Sequence, residues 1–276
     1  MDIDAFMNIV WDNYESNKRN MPWRTAKLDG MFDPYCIMVS EIMLQQTQVS
    51  RVIEKYQKFL DQFPSVQKLA DAPLSDVIRI WQGLGYNRRA KFLHLAAQKV
   101  VSEFGSKFPT DKAQLSTLPG IGANTAGAIM AYAYNEPVVY IETNIRTVFI
   151  HHFFEDHDTI SDSQLLPLLQ QCIDKLEGHS GKYSFREWYW ALMDYGAYLK
   201  QQVGNKSRKS KAYTKQSKFE GSRRQVRGAV LRLLTQDEMK LGALRRNIAD
   251  DRLLSVLIDL TQEGMIKQVD NHYSLS

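Results

Sequence analysis

Over about the first 200 residues, apolar side chains recur every three or four positions, the spacing of helices with one buried face. Between residues 4 and 16, Phe6, Ile9, Val10 and Tyr14 share a face. The helical pattern continues over 35–60 through Ile37, Val39, Ile42, Met43, Val49, Val52, Ile53, Tyr56 and Leu60. It predicts further helices over 65–70, 74–81, 88–104, 112–116, 123–134, 142–153, 162–176 and 183–201. Turn signals fall between them at Phe63-Pro64, Pro73, Gly83-Leu84-Gly85, Phe108-Pro109, Pro119-Gly120 and Glu136-Pro137. Strand-like alternation is nearly absent here, so the expected class is all-α.

The end of the chain reads differently. Three short helices are predicted over 225–234, 241–248 and 251–263. A hairpin follows, with Ile266-Lys267-Gln268-Val269 and His272-Tyr273-Ser274-Leu275 joined by Asp270-Asn271. Three helices and a hairpin resemble a small winged helix. Its third helix and the approach to it carry Asp250, Asp251, Asp259 and Glu263 against Arg252, a poor match for a groove walled by phosphates. A packing or partner role is expected for that helix.

Charge divides the chain further. The net charge is +4, yet residues 201–229 hold nine Lys or Arg against Glu220 alone. The cations are Lys206, Arg208, Lys209, Lys211, Lys215, Lys218, Arg223, Arg224 and Arg227, with Tyr213 and Phe219 interleaved. One basic stripe on an otherwise acidic chain suits phosphate contact. The same composition also suits a solvated linker. The expected organisation is a helical domain over 1–205, a basic linker over 206–224 and a winged-helix-like domain over 225–276. No apolar run approaches the ~20 residues of a membrane span. The start, Met1-Asp2-Ile3-Asp4, lacks the basic, then apolar, pattern of a secretory signal. A cytoplasmic, nucleoid-associated protein is expected. Cys36 and Cys172 are the only cysteines, too few for a disulfide framework or a four-cysteine metal site. Both are expected to be core thiols. His151, His152 and His157 lack paired ligand spacing, so no metal site is expected.

Three stretches carry candidate chemistry. In Leu118-Pro119-Gly120-Ile121-Gly122-Ala123-Asn124-Thr125-Ala126, Pro119 sets a turn and two glycines permit backbone that side chains would block. A helix then starts near Ala123, and its first amides suit a phosphate. A tight turn in any helical bundle would look similar. In Val138-Val139-Tyr140-Ile141-Glu142-Thr143-Asn144, an apolar run delivers Glu142 to a helix start. The helix dipole favours an ionised carboxylate there, which can stabilise a developing sugar cation or simply cap the helix. In Ser40-Glu41-Ile42-Met43-Leu44-Gln45-Gln46-Thr47-Gln48, Glu41 lies inside an apolar helical pattern. Burial would raise its pKa toward that of a proton donor, although a buried salt bridge fits the composition equally. The glutamines offer amides to base edges.

Together with Met21-Pro22-Trp23-Arg24, Asp33-Pro34-Tyr35 and Trp81-Gln82-Gly83-Leu84-Gly85-Tyr86, these motifs resemble the MutY-type adenine DNA glycosylases of the helix-hairpin-helix–GPD superfamily, over about residues 5–200. The resemblance implies a two-lobed, all-α helix-hairpin-helix fold and base excision from double-stranded DNA by base flipping. It makes Glu41 the proton donor to the purine and Glu142 the stabiliser of the sugar cation, with Asn144 beside it. It places Arg24, Leu44 and Asn124 at the base pocket. Gln45, Gln46 and Tyr86 are placed at the DNA around the lesion, and Gly120, Gly122, Ala123 and Thr125 on the DNA backbone. Lys206, Arg208, Lys209 and Lys211 are expected to add phosphate contacts, and a monomer is expected.

The chain departs from the family pattern at four points. Glu142 stands where the family has aspartate, one methylene shorter. The segment from Tyr198 to Arg208 holds none of the four cysteines of the family's 4Fe–4S cluster, so no cofactor is expected. Asn124 stands where bifunctional relatives carry lysine, and a carboxamide forms no Schiff base, so lyase chemistry is not expected. The winged-helix-like segment stands in place of the usual 8-oxoguanine-recognising domain. Adenine opposite 8-oxoguanine or guanine is the leading substrate. Thymine or uracil mispairs, hypoxanthine, and a non-catalytic lesion-binding protein are the alternatives.

Overall fold

Asp2 accepts hydrogen bonds from the amides of Asp4 and Ala5 and so starts α1 (Ile3–Asn17). The computed structural model describes residues 1–178 and 183–276. The run predicted over 35–60 is two helices, α2 (Pro34–Leu44) and α3 (Val49–Gln62). Between them Gln46 adopts φ +55°, a left-handed backbone that a helix cannot contain. Next come α4 (Val66–Asp71), α5 (Leu74–Trp81), α6 (Arg88–Phe104) and α7 (Lys112–Leu115). The helix predicted over 123–134 begins as α8 (Ala123–Ile129) and widens into a π-helical turn, Met130–Tyr134. It is followed by α9 (Thr143–Phe153), α10 (Asp162–Gly178) and α11 (Phe185–Gln202). A capping box between Ser184 and Glu187 begins α11.

Two compact units emerge. The first combines Met1–Met38, Pro109–Thr117 and Ile121–Lys215. In its core, Phe6 of α1 packs edge-on against Phe153 of α9 and Trp188 of α11. His152, in the last turn of α9, bonds the Tyr195 hydroxyl at 2.8 Å. Burial pulls its imidazole down to about 4.

The second unit combines Val39–Phe108, Leu118–Gly120 and Gln216–Ser276. Its C-terminal part runs α12 (Arg223–Leu234), β1 (Met239–Lys240), α13 (Leu241–Asn247), α14 (Leu253–Gln262), β2 (Ile266–Val269) and β3 (His272–Leu275). Asp270 and Asn271, both at positive φ, form the expected tight turn. The sequence did not signal β1, which pairs with β3 at Met239↔Tyr273 and completes a β1-β3-β2 sheet.

The C-terminal segment does not pack on itself alone. Residues 216–276 share a core with α5, because Ile78 is buried among Val226, Leu231, Leu257, Leu260 and Ile266. Nor do the acids on and around α14 stand as a bare negative face. Arg252 pairs with Asp250, Arg223 with Asp259, and Arg88 and Arg227 with Glu263. Charge counts had no access to these partners. Among the described residues, no helix is long and apolar enough to cross a membrane.

Candidate active site

In the first unit the site is built at the start of α9. Glu142 is its N-cap: one carboxylate oxygen accepts from the amides of Asn144 at 2.6 Å and Ile145 at 3.1 Å. The capping reading of this residue is therefore correct as local structure. Its carboxyl is closely surrounded by protein while the residue keeps partial solvent exposure. Burial raises its pKa, opposed by the Lys200 charge and by the two amides. The helix-dipole argument omitted this desolvation, which is the larger effect here.

Asn144 lies against α11. A Cβ on Gly196 would stand 2.5 Å from the Asn144 carbonyl oxygen, so only glycine permits this approach. Lys200, one turn further along α11, donates from Nζ to Asn144 Oδ1 at 2.6 Å. On the other side, Asn144 Nδ2 faces Met193 Sδ at 3.8 Å. Lys200 was missed because a lysine in the last turn of a helix carries no sign of burial.

Arg24, expected at the base pocket, is held by a buried ion pair. Its Nη1 and Nη2 donate to the two oxygens of Asp194, both at 2.8 Å, and Arg19 Nε donates to the same carboxylate at 2.6 Å. The Asp194 side chain is 1% exposed. The signal for it was a carboxylate in the middle of the apolar α11 pattern, a residue type rarely buried without a partner.

In the second unit, Glu41 lies on α2 between fully buried neighbours, Ser40 and Ile42. It is half-buried rather than enclosed as the pattern suggested, because it sits at the rim of a helix covered on its other sides. Leu44 ends α2 and is also half-buried. Beyond it, Gln45 points Nε2 at the Gly120 carbonyl, 3.5 Å away. Gln46 and Tyr86, the residues expected to enter the duplex, both hold left-handed backbone, at φ +55° and +48°. Such strain gathers at functional loops.

Arg89, which sequence reasoning missed, ties these two loops together. Its guanidinium donates to the Ile42 and Met43 carbonyls at 2.8 and 2.9 Å, satisfying the open end of α2. It also reaches the Gln45 carbonyl, the Thr47 hydroxyl, and the Leu84 and Gly85 carbonyls. Burial pulls its pKa down to about 10. Arg89 and Arg224 each approach the Tyr86 ring, at 5.6 and 5.2 Å, and Arg224 donates to its hydroxyl.

The turn into α8 meets the two-glycine expectation at Gly120 but not at Gly122, which has φ −86° and open space where a Cβ would stand. Gly120 takes φ +78°, and a Cβ there would stand 2.8 Å from Phe92 Cβ. Gly122 is the N-cap of α8 with no side-chain cap bond. Ala123 and Asn124 are exposed, and Thr125 is half-buried.

The basic stripe is anchored where the sequence suggested a linker. Lys206 pairs with Glu155, Lys209 bonds the Glu155 carbonyl, and Ser210 bridges to Ile160. Arg223 and Arg227 are spent on acids of the second unit. Arg208, Lys211, Lys215 and Lys218 are exposed. The excess of nine cations over one acid thus overstates the charge available to a ligand.

Residues 39–173 match the model of the HhH-GPD superfamily of base excision DNA repair proteins. An adenine DNA glycosylase of Buchnera aphidicola (subsp. Baizongia pistaciae) is 35% identical over 184 residues, covering 66% of this chain and 49% of the relative. One of Mycolicibacterium smegmatis is 42% identical over 148 residues, covering 54% and 48%. The chain thus spans about half the length of these curated relatives. The structure of a thermostable thymine-DNA glycosylase superposes with a TM-score of 0.58 at 24% identity, covering 71% of this chain and 86% of that one. At that identity the likeness concerns the fold. The HhH-GPD match contains both Glu41 and Glu142.

Proposed function

We propose that this chain is a monofunctional adenine DNA glycosylase, acting on adenine opposite 8-oxoguanine or guanine in duplex DNA. The carrying observation is its 35–42% identity to curated adenine DNA glycosylases, across a superfamily match that contains both candidate carboxylates.

In this reading the adenine is flipped out, and the backbone amides after Gly120 and Gly122 hold the DNA backbone. Glu41 gives a proton to the purine. The N-glycosidic bond breaks with its electron pair leaving on the base, and the positive charge on the sugar is stabilised by the Glu142 carboxylate. Water adds to the sugar and loses a proton, giving free adenine and an abasic site. Asn124 offers no amine for a covalent alternative. A four-thiolate cluster does not fit the residues present: Cys36 is half-buried, and Cys172 is a buried thiol with its pKa pushed up to about 12.

The test is single-turnover base release from duplexes each carrying one candidate base, with borohydride trapping in parallel. Adenine release opposite 8-oxoguanine without a trapped adduct is expected. Preferential release of thymine, uracil or hypoxanthine would replace the substrate assignment, and tight binding without release would replace the enzymatic one. Changing Arg208, Lys211, Lys215 and Lys218 to glutamine should flatten the plot of log K against log salt by roughly 3–4. An unchanged slope would remove the stripe from the DNA-contacting surface.

A further inference from the structure

Two departures from the family pattern meet at one place in the first unit. Glu142 carries the longer side chain, and Lys200 lies in the segment where the family carries its cluster cysteines. We propose that Lys200 is a positioning residue for base excision, orienting the Asn144 carboxamide and setting a positive charge beside the Glu142 carboxylate. The proposal rests on the glycosylase reading above.

The geometry comes from one face of α11. Met193, Gly196 and Lys200 are spaced three and four residues apart, so they align on that face. Gly196 lets the backbone of Asn144 come within reach. Met193 Sδ then faces the amide nitrogen of Asn144, and Lys200 Nζ donates to its amide oxygen at 2.6 Å. The carboxamide is thereby fixed in one orientation, two residues after the one whose carboxylate caps α9. The backbone amide of Asn144 is itself a donor to that carboxylate, at 2.6 Å. Moving Asn144 therefore moves Glu142.

Electrostatics point the same way. The charged groups acting on Glu142 are Lys200 from α11 and Arg146 from its own helix, and Arg19 faces Lys200. Arg146 is paired with Asp162, at 2.6 Å, and Arg19 shares the Asp194 carboxylate with Arg24. Among the described residues Lys200 has no ion pair of its own. It therefore acts with its full charge on a carboxylate that burial pushes toward neutrality, and it is the largest charge effect on that group. A sugar cation is stabilised only by the ionised carboxylate, so the added charge extends activity to lower pH.

The experiment follows adenine release under single-turnover conditions, from pH 5 to 9, on a duplex with one adenine opposite 8-oxoguanine. Wild type is compared with Lys200→Gln, Lys200→Met, Lys200→Arg and Glu142→Gln. Lys200→Gln retains a hydrogen-bond donor while losing the charge, and Lys200→Met loses both. Thermal melting of each variant monitors folding. Both neutral variants should move the midpoint of the acidic limb upward by about one pH unit. Lys200→Met should also lower the plateau rate by roughly tenfold or more. Lys200→Arg should restore the midpoint. If Glu142→Gln is inactive while the Lys200 variants keep the wild-type midpoint, this proposal fails alone. If Glu142→Gln is fully active, the parent assignment of Glu142 fails and this one falls with it. Should Lys200→Met not fold, the Lys200→Gln midpoint decides the matter.

Discussion

Glu41→Gln is expected to slow single-turnover adenine release by roughly 10²–10⁴-fold, the range over which a positioned acid contributes. Glutamine keeps the length and planarity of the side chain but has no carboxylic proton to give. Glu142→Gln is expected to cost roughly 10²–10³-fold, by withdrawing charge from the developing sugar cation. That substitution is well controlled. Its Oε1 can still accept from the amides of Asn144 and Ile145, so the cap of α9 is kept. Binding to uncleaved duplex should therefore change little for either variant, measured by titration against the same DNA. Wild-type rates in Glu41→Gln would deny it the role of proton donor. Wild-type rates in Glu142→Gln would reduce that residue to a helix cap.

Asp194→Ala should destabilise the first unit by about 3–5 kcal/mol, the cost of removing one partner from a buried ion pair. The carboxylate is the junction of Arg19 and Arg24. Four donors converge on it: the Arg19 amide at 2.9 Å, Arg19 Nε, and both terminal nitrogens of Arg24. The Arg24 side chain is 9% exposed, so water can only poorly replace what it loses. Urea denaturation of wild type and variant measures the difference. A loss below about 1 kcal/mol would show that the guanidinium groups find other acceptors. Because Asp194 and Met193 are adjacent on α11, this variant should also loosen the seat of Asn144.

The sequence made the helices legible because each buries a continuous apolar face, and α5 and α6 run over the predicted residues. It failed where a single backbone angle decides. The left-handed Gln46 divides a pattern that periodicity read as one run, and a two-residue strand such as β1 is too short to show alternation. Of the candidate site, Glu41, Glu142 and the Gly120–Gly122 turn stood out by residue type and order, and Asn144 through the family resemblance. Their surroundings could not. Whether an arginine faces DNA or a buried carboxylate depends on residues far away in the chain, as Arg24 and Asp194 illustrate. Lys200 and Arg89 are two more long cationic side chains whose burial only tertiary packing reveals.

The sharing of Ile78 between α5 and the C-terminal helices bears on how the chain leaves the ribosome. Synthesis runs from the N-terminus, and domains generally fold as units when complete. Ile78 is made early, but Val226, Leu257 and Leu260, which bury it, are made near the end. The first unit has all its segments once Lys215 is made, whereas the second still awaits Gln216–Ser276. The loops bearing Gln46 and Tyr86 thus belong to the unit that matures last, and Tyr86 gains its Arg224 contact only then.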